Sequence, residues 1–372
     1  STVTPGTITN NGSTASTDSP FDDLEVFKFG EEGDQNIIKC GSYVGNGSAT
    51  GPEVNLGWEP QWLLIKNAEK SENWLIFDSM RGIVTGGNEA RLFANLTNTE
   101  SSPGNFINLT PTGFKINDNG GDLNDPNDTI IYMAIRRPDP LVAKATESGT
   151  DVFAMAAGNS SSTIPSYVSG FPVDFAFHRE KAASSNWWTG GRLMQGKYLI
   201  TNNSDAQGSY SGWVFDSNRG FSSDPKNTAW QAWMWKRHAG FDVVTYNIPT
   251  ASGQKSIKHN LGREPEMIWL KYRDGSDDWL VYNKYLGGGT DPWDYFLALN
   301  KNDAQSNAYP NYWGTSSSDM NANYFTINQQ FRYTGNHVMM LFASVDGICK
   351  VGTYDGSNST QTITCGFQPR FF

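Results

Sequence analysis

Four histidines, three cysteines and scattered carboxylates are the side chains of this 372-residue chain that could carry chemistry. His178, His238, His259 and His337 form no HxxxH metal pair, and no GxSxG nucleophile motif is present. Cys40, Cys349 and Cys365 match no zinc spacing, and an odd number suits no closed disulfide framework. They read as buried free thiols acting as small hydrophobes. Oxygen ligands are densest from Asp118 to Asp128, yet the acidic order, the glycine at six and the closing glutamate of a calcium loop are missing. That stretch reads as a solvated turn, and Asp274 to Asp278 reads as a hairpin tip. The carboxylate pair of a glycosidase is defined by distance in space, which residue order leaves open. The expectation is a protein that is not an enzyme and holds neither metal nor cofactor. Aromatic loops are the better lead. Trp293, Tyr295, Tyr309, Tyr312 and Trp313 cluster among Gly, Asn and Pro, where aromatic faces beside amides suit a sugar ring or a protein partner. The competing reading makes them plugs that pin loops to a core.

The elements that must position these residues recur along the chain. The cleanest copy runs Gly262-Arg263-Glu264-Pro265 through Trp269-Leu270-Lys271, then Trp279-Leu280-Val281-Tyr282. An earlier copy runs Gly57-Trp58-Glu59-Pro60 through Leu64-Ile65-Lys66, then Trp74-Leu75-Ile76-Phe77. A worn copy keeps the spacings with Gly170, Arg179 and Trp187, and a fourth opens at Gly366-Phe367-Gln368-Pro369. The four glycines are 113, 92 and 104 residues apart, which is domain spacing and not solenoid spacing. Each unit is therefore expected to bury its own core. The cation ending each anchor stretch reads as a strand-end residue whose stem packs on apolar neighbours. The Trp after it reads as core. Asn95 and Asn300 each lie 21 residues after their Trp, an internal check on the register of the repeat.

Aromatics make up 13% of the chain, and turn formers dominate its polar positions, which points to strands joined by many turns. The expected fold is all-β, as tandem jelly-roll-like β-sandwich domains of about 100 residues each. Residues 1–35 read as a flexible Ser/Thr/Asn/Gly arm, with an alternating Leu24 to Phe29 stretch near its end. The first repeat covers 36–140, the divergent second 141–239, the third 240–347, and 348–372 begins an incomplete fourth. Asp139 to Gly149 reads as a polar linker. An apolar strand broken off at Phe372 would leave an open edge, so the polypeptide is expected to continue. A net charge of −10 argues against nucleic acid as partner, and no apolar run is long enough to span a membrane as a helix.

The same stretches resemble a repeat of marine and cyanobacterial bacteriophage virion proteins. The residues that carry the likeness are Lys39 to Gly47, Gly57 to Lys66, Trp74 to Gly82 and Tyr132 to Arg137, with Asn260-Leu261-Gly262, Trp279 to Tyr282 and Phe342 to Gly347 in the third repeat. The resemblance implies a virion structural protein, of the tail fibre or host-attachment kind, with no catalytic residues to carry over. It implies contacts to other virion proteins, for which the N-terminal arm is the candidate anchor, and to a host-surface glycan or protein. A homo-oligomer is expected, with a trimer as the guess. The alternatives are a capsid decoration protein and a polysaccharide-degrading tail spike.

Overall fold

The computed structural model describes residues 37–137, 148–249, 254–327 and 333–372. The arm at 1–35, the Leu24 to Phe29 stretch and most of the Asp139 to Gly149 linker lie outside the described residues. The protein is all-β, and its sheets are antiparallel.

Three sheets repeat one topology. In the first, the order is β1 (Ile38–Val44), β8 (Thr129–Arg136), β3 (Pro60–Asn67), β4 (Leu75–Asp78) and β5 (Leu92–Phe93). The second runs β9 (Phe153–Ala157), β16 (Trp230–Trp235), β11 (Phe175–Glu180), β12 (Trp188–Gly191) and β13 (Lys197–Ile200), with β14 (Gly208–Ser209) added at its edge. The third runs β17 (Phe241–Ile248), β23 (Gly335–Phe342), β19 (Met267–Tyr272), β20 (Leu280–Asn283) and β21 (Leu297–Ala298). In every copy the opening strand pairs with the closing strand, which pairs with the anchor strand. A two-stranded ladder accompanies each sheet: β2 (Glu53–Asn55) with β7 (Gly113–Ile116), β10 (Tyr167–Val168) with β15 (Gly220–Phe221), and β18 (Lys255–Lys258) with β22 (Tyr324–Ile327). A further strand, β6 (Ile107–Thr110), and one helical turn, α1 (Gly121–Asn124), complete the regular elements used below.

The repeat glycines have a backbone reason. Gly57, Gly170, Gly262 and Gly366 sit at φ of 78°, 89°, 69° and 86°, the left-handed region that costs a side-chain-bearing residue roughly 1–2 kcal/mol. A Cβ at Gly57, Gly170 or Gly366 would meet nothing within 4 Å, so at these three the dihedral and not crowding demands glycine.

Contacts divide the chain into two compact units. One comprises 1–78, 91–101 and 112–140; the other comprises 79–90, 102–111 and 141–372. In the first unit, Leu63, Ile65, Leu75, Phe77, Ile130 and Tyr132 are buried on one face of the sheet. Phe114 of β7 packs edge-on against Tyr43 and Tyr132, with ring centroids 6.3 and 5.5 Å away. This one-sided core matches the alternating burial of β3 and β8, as period-two side chains require.

The second unit departs from the expectation that each repeat closes its own core. Phe175, Phe177, Leu199 and Trp235 of the second sheet share one apolar cluster with Phe241, Val243, Val338 and Met340 of the third. The third sheet carries a further core on its opposite face, through Tyr246, Ile268, Leu270, Met339 and Leu341. The second does likewise, through Val173, Ala176, Phe221 and Met234. Burial on both faces explains why β17 and β23 read as almost unbroken apolar runs: neither face meets water. Charges are enclosed here as well. Arg237 lies 3.4 Å from Asp174 and 3.8 Å from Asp242, and Arg192 lies 3.8 Å from Asp174.

Residues 350–372 hold no strand. Instead, the Phe371 ring rests 5.7 Å from both Phe153 and Trp235.

Candidate functional site

The repeated cation and Trp hold the fold. Lys66 donates to the carbonyls of Asn67 and Lys70, Lys271 to those of Tyr272 and Gly275, and Arg179 to those of Glu180 and Ala183. Each cation thus closes the turn that follows its own strand, satisfying carbonyls that the ladder has released. Lys271 is fully enclosed, and burial lowers its pKa to about 8.

Three asparagines complete the lock. Asn95, Asn202 and Asn300 each accept the backbone N–H of their repeat's Trp, at 3.0, 2.9 and 2.9 Å. Each also donates its amide to the side chain preceding that Trp: Asn73, Asn186 or Asp278. Asn202 escapes the spacing rule because it lies 15 residues after its Trp, on a shorter connection. The Asn or Asp before each Trp was the signal that could have found it.

The Trp residues differ in exposure. Trp279 is fully buried, and its indole N–H reaches the Ile200 carbonyl at 2.9 Å. Trp187 is half-buried under the Arg179 guanidinium, 4.8 Å from its centroid. Trp74 is 38% exposed, against the expectation of a core residue, because nothing among the described residues seals the sheet face beside it. Cys40 is exposed on that sheet for the same reason, while Cys349 and Cys365 are half-buried; all three are free thiols.

The carboxylate stretches are turns. Asn124, fully buried, donates to Asn46, Ser48 and Asp118 and knots the Asp118 to Asp128 loop; Asp125 and Asp128 face Lys70 at 2.6 and 3.3 Å. The Asp274 carboxylate holds the backbone and side chain of Asn336.

The aromatic candidates separate into plugs and a rim. Tyr312 and Trp313 are buried members of the third repeat's core, so for these two the plug reading holds and the ligand-contact reading is corrected. The short loop they sit on folds back over the sheet, and the Trp313 indole donates to the Tyr295 carbonyl at 3.0 Å. Trp293 packs half-buried against the same cluster, and Tyr295 is half-buried. Tyr309 alone of the five is exposed, stacked 6.2 Å from Phe296. Beside the plug lies a cleft lined by Tyr246, Tyr272, Asp277, Asp278, Tyr312 and His337. Its volume of ≈ 10 Å³ admits about one water and no sugar ring. Burial lowers the His337 pKa to about 4, so the ring that stacks on Tyr246 at 5.1 Å is neutral.

The broad accessible surface is the outer face of the first sheet. Cross-strand register places Cys40, Met133, Leu64, Ile76 and Leu92 in one row across its five strands. Ser42, Ile131 and Lys66 form the next row, which ends beside Trp74. Apolar side chains in continuous rows on an accessible sheet face are what protein association uses.

A family model described as a domain of unknown function, DUF7483, matches residues 29–138 and 189–372. The chain belongs to the DUF7483 family. The matched stretches hold the third repeat whole and the first to within two residues of its end; most of the unmatched 139–188 lies in the second repeat, whose sequence is the most worn. No curated protein matches the chain.

Proposed function

We propose that this DUF7483 chain is a bacteriophage virion structural protein, in the form of a tail fibre or other adsorption component. One observation carries the reading: the same five-stranded module is built three times, and two copies are joined through the faces of their sheets. Such a chain gains rigidity from repetition and spends its repeated polar contacts, the cation and asparagine locks, on holding turns. The sequence resemblance supplies the virion setting. Residues 1–35 are the proposed attachment to other virion proteins, and Tyr309 with the loop around it is the proposed contact to a host-surface glycan or protein.

Cryo-electron microscopy of intact virions, with the copy number of this chain, tests the proposal. Density on the tail in few copies is the expected result. Density spread over the capsid lattice in hundreds of copies would make it a decoration protein. Absence of the chain from purified virions would overturn the proposal.

A further inference from the structure

We infer that the outer face of the first repeat's sheet docks onto the same face of a second copy of this chain. The argument rests on positions made equivalent by strand register. Ile38, opposite Ile135, corresponds to Phe241, opposite Phe342. Ile131, opposite Lys66, corresponds to Val338, opposite Lys271. Trp74 corresponds to Trp279 through the repeat spacing and the asparagine lock. In the third repeat these three positions are 1%, 0% and 0% exposed; in the first they are 39%, 38% and 38%. The chemistry is alike and only the cover differs.

The cover is known for the third repeat: it is the equivalent face of the second. The Phe241 ring lies 5.9 Å from Phe175 and 6.1 Å from Trp235, and Trp279 bonds to the Ile200 carbonyl. Like faces of this module therefore mate within one chain, and of three described modules one face is left to find its mate elsewhere. The same module in a second copy carries the same rows of side chains, which an isologous contact requires. A sugar would need polar partners between aromatic faces, and the Cys40, Met133 and Leu64 row offers none. The arm at residues 1–35 has one apolar stretch, Leu24 to Phe29, and a single strand of that length spans only a strip of a five-stranded face.

The expected contact is modest. Five strands about 4.8 Å apart and about five residues deep project to roughly 400 Å² per copy, about half of what a standard specific interface buries on each partner, so the contact is of the weak, reversible kind.

Sedimentation velocity on the full chain from about 1 to about 100 μM tests this. The wild type is expected to form a reversible dimer. Leu64→Glu and Ile131→Glu are each expected to weaken it at least about tenfold, while Val168→Glu, also an exposed apolar position but on the second repeat, leaves it unchanged. Circular dichroism confirms folding, and Ile131, being partly exposed, keeps the test valid if Leu64→Glu unfolds. A monomer over the whole range, or an oligomer indifferent to both face variants, overturns the inference. Neither result bears on whether the chain is found in virions, so the two proposals fail separately.

Discussion

Trp74 and Trp279 hold the same place in two copies of one module, each with its backbone N–H accepted by an asparagine. Around Trp74 the sheet has one dry face and one accessible face; around Trp279 both faces are dry. The strands, the turn locks and the left-handed glycines are common to both, so the module does not need a second cover to form. What the second cover changes is the composition it tolerates. The mated faces set Phe, Trp, Met, Val and Leu around Thr245 and Lys271, whereas the accessible face sets smaller Leu, Ile and Met around the equivalent Ser42 and Lys66. The second unit also encloses ionisable groups in the cores on the opposite faces of its sheets, where His178 meets Tyr167 and His337 meets Tyr246, and every histidine of the chain falls in this unit.

That distribution makes pH the strongest way to separate the two units. Burial is the leading cause lowering His178 to about 3 and His238, His259 and His337 to about 4. These rings are neutral when folded and bind protons near pH 6.5 once unfolded, so the unfolded state gains protons as pH falls below 6.5. Stability is present above that value and is lost down to about pH 4, by on the order of 3 kcal/mol for each ring. Glu89 acts the other way. Burial raises its carboxyl to about 8, so it costs stability as pH rises from its unfolded value toward 8 and returns it on acidification. One carboxyl offsets about one histidine. These five groups together remove on the order of 9 kcal/mol, comparable with the whole stability of a typical domain. Calorimetry from pH 7 to pH 4 should show the second unit's transition falling steeply while the first unit's transition moves far less. Parallel movement of both would break the comparison.

Substitution at the equivalent tryptophans tests the comparison at one side chain. Trp279→Ala empties a fully buried site and strands the Ile200 carbonyl, with an expected cost of about 3–5 kcal/mol. Trp74→Ala removes a ring already 38% in solvent, with an expected cost of about 1 kcal/mol for the purified monomer. Trp187→Ala falls between, losing its contact beneath Arg179 as well as area. Chemical denaturation ranks the three, and equal costs at Trp74 and Trp279 would mean that the first face is already covered in solution.

Much of this fold was legible in the sequence because local rules acted alone. Glycine at a left-handed φ, a cation over its own turn and an asparagine beneath a Trp depend on neighbours a few residues away or on one ladder, so their spacing survives from copy to copy. Cover is not local. Nothing in the residues around Trp74 and Trp279 says which sheet will be sealed, and so both were read as core. Tyr312 and Trp313 stay open between plug and ligand contact in the sequence for a related reason: Gly, Asn and Pro around an aromatic mark a loop, but not whether the loop folds back on the sheet. Cys40 was placed inside on the habits of its residue type, and its strand's outer face decided otherwise. The cleft beside Tyr312 had no sequence signal, since its lining comes from strands and loops far apart in the chain.

The smallest test concerns the asparagine lock itself. Asn95→Ala and Asn300→Ala delete the same two hydrogen bonds, one to the Trp backbone and one to the residue before it. Asn95 is exposed, so water can take over both partners, and the expected cost is about 0.5 kcal/mol. Asn300 is half-buried, and the N–H it serves belongs to the fully enclosed Trp279, which water reaches poorly. The expected cost there is about 1–2 kcal/mol. Urea melts read on each unit's own transition resolve a difference of this size. If the two substitutions cost the same, the lock's strength is set by its own geometry. If Asn300 costs more, the same polar device is made stronger by the sheet that covers it, and the accessible first face should strengthen its own lock when it finds a mate.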